Sequence, residues 1–253
     1  MSQDKNLIIQ TFRSNLKGKF FTKKSGEHDG AEGHWVEELM GVEKNNLNRP
    51  DLLGFECKKQ SPKTSFGDWQ ADISLWGTNT PYPSIKQLDR DKEFLEYFGK
   101  PNEEKDGRFA WSGMAPKINK YNDFGQILEV DRNNNIFAYY SFSKDSRPNK
   151  IQIVPKHLQI ENLILCEWTN LKLQKTVENK FNQAGFFICE KDKSGVYTSI
   201  AFGPPINYNQ WIKQVKLGVI FFDSGMHQGN KRPYASWRAN KKYWDNLITD
   251  RYQ

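Results

Sequence analysis

Apolar side chains at Leu7, Ile8, Phe12 and Leu16 recur at helical spacing behind Asp4, a cap-forming residue, so the chain is expected to open with a helix. A polar, glycine-rich stretch over residues 23–33 follows. Trp35, Val36, Leu39 and Met40 then predict a second helix, which carries Glu37 and Glu38 and breaks over residues 45–50. The period changes at residues 52–58, where Leu53, Phe55 and Cys57 alternate with Gly54, Glu56 and Lys58, the signature of a strand. Further strands are expected over 126–130 and 136–142, joined by the turn Asn133-Asn134-Asn135, and over 162–168. A hairpin is expected from 185–189 and 196–202. Residues 216–223 read as a strand leading into a glycine-rich loop, 224–233, before a last strand-like stretch at 234–238. Helices are predicted over 85–98, 173–181 and 208–215. The sum is an α+β chain with a mixed sheet flanked by helices, and no repeat or low-complexity tract competes with that reading.

Composition narrows the class. Only 37% of the 253 residues are hydrophobic, yet 14% are aromatic, which predicts a core built around rings. The longest apolar runs fall far short of the roughly 20 residues of a membrane span. Three scattered cysteines, Cys57, Cys166 and Cys189, do not make a disulfide scaffold, and the first residues carry no apolar targeting core, so a reducing cytoplasm is the expected setting. Lys and Arg number 37 against 30 Asp and Glu, and the excess is concentrated: residues 206–253 hold eight basic and three acidic side chains and no Glu. A basic segment rich in Trp, Tyr and Asn suits contact with phosphates and bases, and equally an ordinary solvated surface.

The candidate chemistry lies in Pro50-Asp51-Leu52-Leu53-Gly54-Phe55-Glu56-Cys57-Lys58. Residues two apart on a strand share a face, so Glu56 and Lys58 stand together while Phe55 and Cys57 enter the apolar layer. Asp51, just before the strand, can turn its carboxylate to the same point. Phosphodiester cleavage needs a hard cation held by one or two carboxylates, and Asp51, Glu56 and the backbone carbonyl of Cys57 could hold Mg²⁺, with Mn²⁺ as a substitute. Lys58 could then hold or activate the attacking water, and Glu37 could serve as an outer carboxylate. Pro-Asp with Glu-x-Lys at this gap arises by chance in on the order of one chain in several hundred, but in about one in twenty when the gap varies. Two internal controls, Glu103-Glu104-Lys105 and Glu178-Asn179-Lys180, also spell Glu-x-Lys, the first in a polar loop and the second in an amphipathic helix, without a preceding Pro-Asp. A solvated edge strand with an incidental ion pair is the competing reading of residues 50–58. The histidines His28, His34, His157 and His227 lack partners at zinc spacing, and no phosphate-loop, dinucleotide or serine-hydrolase motif is present.

These residues, with Lys23-Lys24-Ser25-Gly26, Gly33-His34-Trp35-Val36-Glu37-Glu38-Leu39 and Asn46-Leu47-Asn48-Arg49-Pro50-Asp51, resemble the MvaI/BcnI group of type II restriction endonucleases, relatives of the nicking enzyme MutH within the PD-(D/E)xK superfamily. Gly107-Arg108-Phe109-Ala110-Trp111-Ser112-Gly113 is similar to a mid-chain segment of that group. Phe222-Asp223-Ser224-Gly225 followed by Trp237-Arg238 is similar to its recognition loop, although residues 226–236 follow no pattern tied to a particular target. The resemblance implies a PD-(D/E)xK core with two lobes around a DNA cleft. The polar loop at 143–148 is the expected boundary, with residues 1–148 mainly catalytic and 149–253 mainly for recognition; one continuous unit is the alternative. The resemblance implies Glu37, Asp51, Glu56 and Lys58 as catalytic residues, with Trp237 and Arg238 in the DNA-contacting block. Read from their chemistry alone, Arg232 and Arg238 suit guanine edges, and Lys231 and His227 suit base edges or phosphates; a flexible solvated loop with ordinary charges is the competing reading. The resemblance also implies a Mg²⁺-dependent endonuclease of a bacterial or archaeal restriction system, acting on double-stranded DNA as a monomer by successive nicks that leave 5′-phosphates. A cognate methyltransferase is its expected genetic partner. A partner-activated strand-specific nickase, a non-catalytic DNA-binding module and an RNA-directed nuclease are the alternatives.

Overall fold

The computed structural model describes residues 2–25, 30–43 and 48–253; His28, and Gly26, Asn46 and Leu47 of the resemblance motifs, lie outside the described residues. The chain forms two compact units, each assembled from separated pieces. The first comprises residues 1–64, 174–211 and 240–253, and the second 65–173 and 212–239. Residue 148, the lobe boundary expected from the sequence, falls inside the second unit.

The first unit is a four-stranded sheet with helices against it. Strands β1 (Phe55–Lys59), β9 (Gly185–Lys191), β10 (Tyr197–Gly203) and β13 (Asp250–Tyr252) lie in that order, with β1 parallel to β9 and the remaining pairs antiparallel. Helices α1 (Gln3–Asn15) and α2 (Ala31–Leu39) contribute Ile8, Ile9, Phe12, Leu16, Val36 and Met40 to a buried cluster with Phe55, Cys57, Phe187, Cys189, Tyr197, Ile200 and Phe202. Phe55 and Cys57 thus occupy the apolar face that alternation predicted. Helix α7 (Lys241–Leu247) packs the ring of its Trp244 edge-on against Phe186, and the unit also takes residues 174–181 of α5 (Asn170–Phe181) and 208–211 of α6 (Tyr208–Lys216). The opening helix is capped by Ser2, whose side chain accepts the amide of Lys5, and Asp4 sits in the first turn instead.

The second unit holds two antiparallel assemblies. One orders β3 (Ile73–Ser74), β8 (Leu163–Trp168), β7 (Ile136–Asp145) and β6 (Phe124–Val130); the other orders β11 (Ile220–Ser224), β12 (Ala235–Asn240) and β2 (Lys63–Asp68), of which Lys63 and Thr64 are counted with the first unit. A short hairpin, β4 (Lys100–Asn102) and β5 (Arg108–Ala110), is added. The expected Asn-rich turn joins β6 to β7, and Asp131 fixes it by accepting the amides of Asn133 and Asn135. Rings fill the core: Trp168 packs against Phe222 and Trp237, and Trp111 against Phe94 and Phe222.

Three expected element boundaries also shift. The helix predicted over 85–98 begins only after Asp89, whose carboxylate caps the amides of Asp91 and Lys92; a π-helical turn, Arg90–Phe94, then runs into α3 (Leu95–Phe98). The strand predicted from 216 starts at Ile220, because α6 continues through Lys216. The strand predicted from 52 starts at Phe55, because Leu52 and Phe55 exchange backbone hydrogen bonds across a two-residue turn. In that turn Leu53 and Gly54 both have positive φ, +50° and +81°. Helix α4 (Lys150–Ile153) is a single turn.

Candidate active site

Strand β1 and the turn before it place the central residues. The Leu53-Gly54 turn folds Asp51 back alongside the strand, where its Oδ2 accepts the amide of Cys57 at 2.9 Å. Glu56 is 1% exposed, and its Oε1 receives Lys58 Nζ at 2.6 Å. The pleat alone accounts for the Glu56–Lys58 pairing; the tight turn is what adds Asp51. The three groups named from the sequence are therefore brought together. Glu37 comes from α2, which packs on β1, and its negative charge acts on the Cys57 thiol.

A fourth group arrives that the sequence set aside. Lys180, in the last turn of α5, places Nζ 3.1 Å from the same Oε1 of Glu56. Its motif, Glu178-Asn179-Lys180, served as a control, and the two ends of that motif do different work. Glu178 is structural, accepting the amide of Tyr208 and the side-chain amide of Asn182. Lys180 borders the apolar stripe of Leu173, Val177 and Phe181, all fully buried, and Lys58 lies over the ring of Phe181. Its adjacency to that stripe was visible in the sequence; its meeting with β1 was not.

Burial raises the pKa of Glu56, opposed by the charges of Lys58 and Lys180, with Asp51 adding to the rise. For Lys58, burial acts to lower the pKa but is outweighed by Glu56 and Asp51, so the ammonium is held above its usual range. The protein alone thus presents Lys58 as a protonated donor rather than as a ready base. The neighbouring Cys189 and then burial push the Cys57 thiol up and keep it inert, as alternation into the core implied. The second oxygen of Glu56, Oε2, is buried with no hydrogen-bond partner. A buried acceptor left open, on a carboxylate that feels the negative charge of Asp51, suits a cation that brings its own waters. Among the described residues no group of three or more His, Cys, Asp or Glu is placed to hold a metal ion by itself, so substrate oxygens or waters would have to complete the coordination at Asp51 and Glu56.

A cluster on the same unit holds α2 in place. Glu32 accepts Lys59 Nζ and Lys191 Nζ, each at 2.7 Å, and the Tyr197 hydroxyl at 2.9 Å. Burial works to raise its pKa, yet these three partners bring it down to about 2.

The sequence-predicted DNA contacts lie in the second unit, where the structure separates them. His227 engages both ring nitrogens inside its own loop, at 2.7 Å from the Gln228 carbonyl and 2.9 Å from the Asn230 amide. Lys231 is exposed. Arg232 is paired with Asp68 at 2.7 Å and lies over the Tyr234 ring. Arg238 Nε stands 3.2 Å from Asp223. Trp237 is fully buried against Trp168 and Phe222, so its part is packing; alternation along β12 turns Trp237 inward and Arg238 outward.

The glycine-rich loop is anchored rather than loose. Its Met226 carbonyl accepts the Trp111 amide, Gln228 exchanges bonds with the backbone of Phe109, and Asp91 takes the Gly229 amide while pairing with Arg90. Beside it lies an open groove of about 630 Å³ lined by Gln70, Trp76, Gln87, Arg90, Asp91 and Arg232 among others. Sequence reading missed Asp91 and Arg90 because their meeting with the loop spans more than 130 positions.

The LlaMI restriction endonuclease family model matches residues 14–252. The chain belongs to the LlaMI restriction endonuclease family. This restriction endonuclease is 43% identical, over 272 aligned positions covering all of both chains, to the type II restriction enzyme ScrFI of Lactococcus lactis subsp. cremoris. Its fold is similar to that of the restriction endonuclease MvaI in complex with cognate DNA substrate, at a TM-score of 0.62 and 15% identity, covering 100% of this chain and 98% of that one. The α+β fold and the enzyme class implied by the resemblance both stand: the chain is a restriction endonuclease, a site-specific deoxyribonuclease. No helix among the described residues is long and apolar enough to cross a membrane.

Proposed function

We propose that this enzyme cleaves both strands of a specific double-stranded DNA site with Mg²⁺, acting as a monomer by successive nicks and leaving 5′-phosphate and 3′-hydroxyl ends. The observation that carries the reading is the buried Glu56, with Lys58 on one oxygen and the other oxygen without a hydrogen-bond partner, on a strand against which Asp51 is folded back. Asp51, Glu56 and the Cys57 carbonyl would hold the cation, with Glu37 as an outer carboxylate. When bound, Mg²⁺, for which Mn²⁺ would substitute, supplies Lewis-acid stabilisation of charge on the scissile phosphate. Lys58, kept protonated by its neighbours, donates to a phosphate oxygen and orients the attacking water. Asp51, tied to the Cys57 amide, keeps its carboxylate fixed at the mouth of the strand.

On this reading the first unit performs the chemistry and the second reads sequence. Arg232 and Arg238 exchange their carboxylate partners, Asp68 and Asp223, for base edges or phosphates, and Lys231 holds the backbone. His227 shapes the loop unless DNA releases its two internal bonds. The enzyme would work in the cytoplasm of a bacterium or archaeon beside a methyltransferase that protects the host's own sites.

The test is cleavage of a mixed DNA substrate with Mg²⁺, followed by sequencing of the ends. The expected result is a single recurrent site with 5′-phosphates, and for Asp51→Ala, loss of cleavage with specific binding retained. Wild-type cutting by that variant would overturn the assignment. Accumulation of nicked plasmid without linear product would instead mark a strand-specific nickase.

A further inference from the structure

Two ammonium groups meet one carboxylate oxygen, which is more positive charge than neutralising Glu56 requires. Lys58 Nζ at 2.6 Å and Lys180 Nζ at 3.1 Å both address Oε1, while Oε2 has no partner. The two lysines differ in where they come from. Lys58 shares the strand with Glu56 and projects from the same face, whereas Lys180 approaches from the end of α5, flanked by the buried Val177 and Phe181. A buried carboxylate that loses its counter-ion is strongly penalised, so a lysine serving as the only partner of Glu56 would be held there.

We propose that Lys180 is a positioning residue that takes over Glu56, freeing Lys58 to turn its ammonium toward the scissile phosphate and the attacking water. The proposal rests on the reading of the site given above. With Lys180 present, Glu56 keeps a charged partner on Oε1 throughout, and its Oε2 stays available to the cation. Without it, Lys58 remains bound to Glu56 and the reaction loses its donor. Lys180 also adds a positive charge close to the cation position, so removing that charge tightens cation binding while slowing cleavage. A residue that only held the fold would lose both together.

The experiment uses the full chain, with Mg²⁺ or Mn²⁺ binding followed by calorimetry without DNA and single-turnover cleavage at saturating DNA. For Lys180→Gln we expect a rate at least about tenfold lower, half-saturation in DNA within about threefold of wild type, and cation binding several-fold tighter. Lys180→Arg, which keeps the charge, is expected to cut within about threefold of wild type with an unchanged cation isotherm. A wild-type rate in Lys180→Gln overturns the proposal, as does cation binding that is unchanged or weaker in that variant. Should Lys180→Gln fail to melt as a folded protein, Lys180→Arg decides alone, and a tenfold loss there overturns it. Absence of cation binding and cleavage in the wild type would instead sink the reading of the site itself.

Discussion

Replacing Glu32 by Gln removes one negative charge while keeping the side chain's size, and the structure sets the size of the effect. Glu32 is held at a pKa of about 2 against an ordinary 4.5, because Lys59, Lys191 and Tyr197 outweigh the cost of its burial. A difference of that size corresponds to about 3 kcal/mol at roughly 1.4 kcal/mol per pH unit. The two lysines remain 26% and 25% exposed, so water screens the interaction and about 1.5–2 kcal/mol is the expected loss for Glu32→Gln near neutral pH. The folded-state pKa is depressed, so this stabilisation is complete above about 4.5 and disappears as pH falls toward and through about 2. Urea denaturation of both proteins across that window should show a stability gap that is constant near neutrality, narrows below about pH 4.5 and is more than half gone by about pH 3. The same cluster ties α2, which carries Glu37, to β1, β9 and β10, so the cleavage rate should fall alongside stability. A gap as large at about pH 3 as at neutrality, or one below about 0.5 kcal/mol throughout, would refute the account of Glu32 as an ionised anchor.

Arg238→Ala is expected to cost about 1–3 kcal/mol of DNA binding, concentrated at one base pair, as read from affinities across single-base variants of the target. Uniform weakening across all variants would reassign Arg238 to a phosphate. Leu53→Asn should stabilise the protein by about 0.5–1 kcal/mol in thermal or urea denaturation, because Leu53 sits at φ +50° with an exposed side chain and Asn tolerates that conformation better. A destabilised variant would mean that Leu53 contributes packing which outweighs its backbone strain.

The legible parts of this protein are those governed by short-range geometry. Alternation across β1 put Glu56 and Lys58 on one face and Cys57 in the core, and the stripes of α1 and α5, apart from the exposed Leu7 of α1, marked their buried sides, because both periods are properties of the local backbone. Alternation on β12 likewise turns Trp237 inward, among Trp168 and Phe222, and Arg238 outward, a separation that the resemblance to the recognition loop does not express. The turn at Leu53 escaped notice because leucine rarely adopts positive φ, so its side chain gives no turn signal.

The sequence by itself determined that one strand carries a carboxylate and an ammonium side by side, behind an aspartate within reach, in a chain with a basic final quarter. Only the tertiary structure decided that Lys180 joins them, that Asp91 and Arg90 anchor the loop at Gly229, and that each compact unit is stitched from distant segments. The division has a physical cause. A two-residue repeat needs no more than one strand's pleat, whereas contacts across more than a hundred residues exist only once apolar burial has selected a single arrangement of helices and sheets.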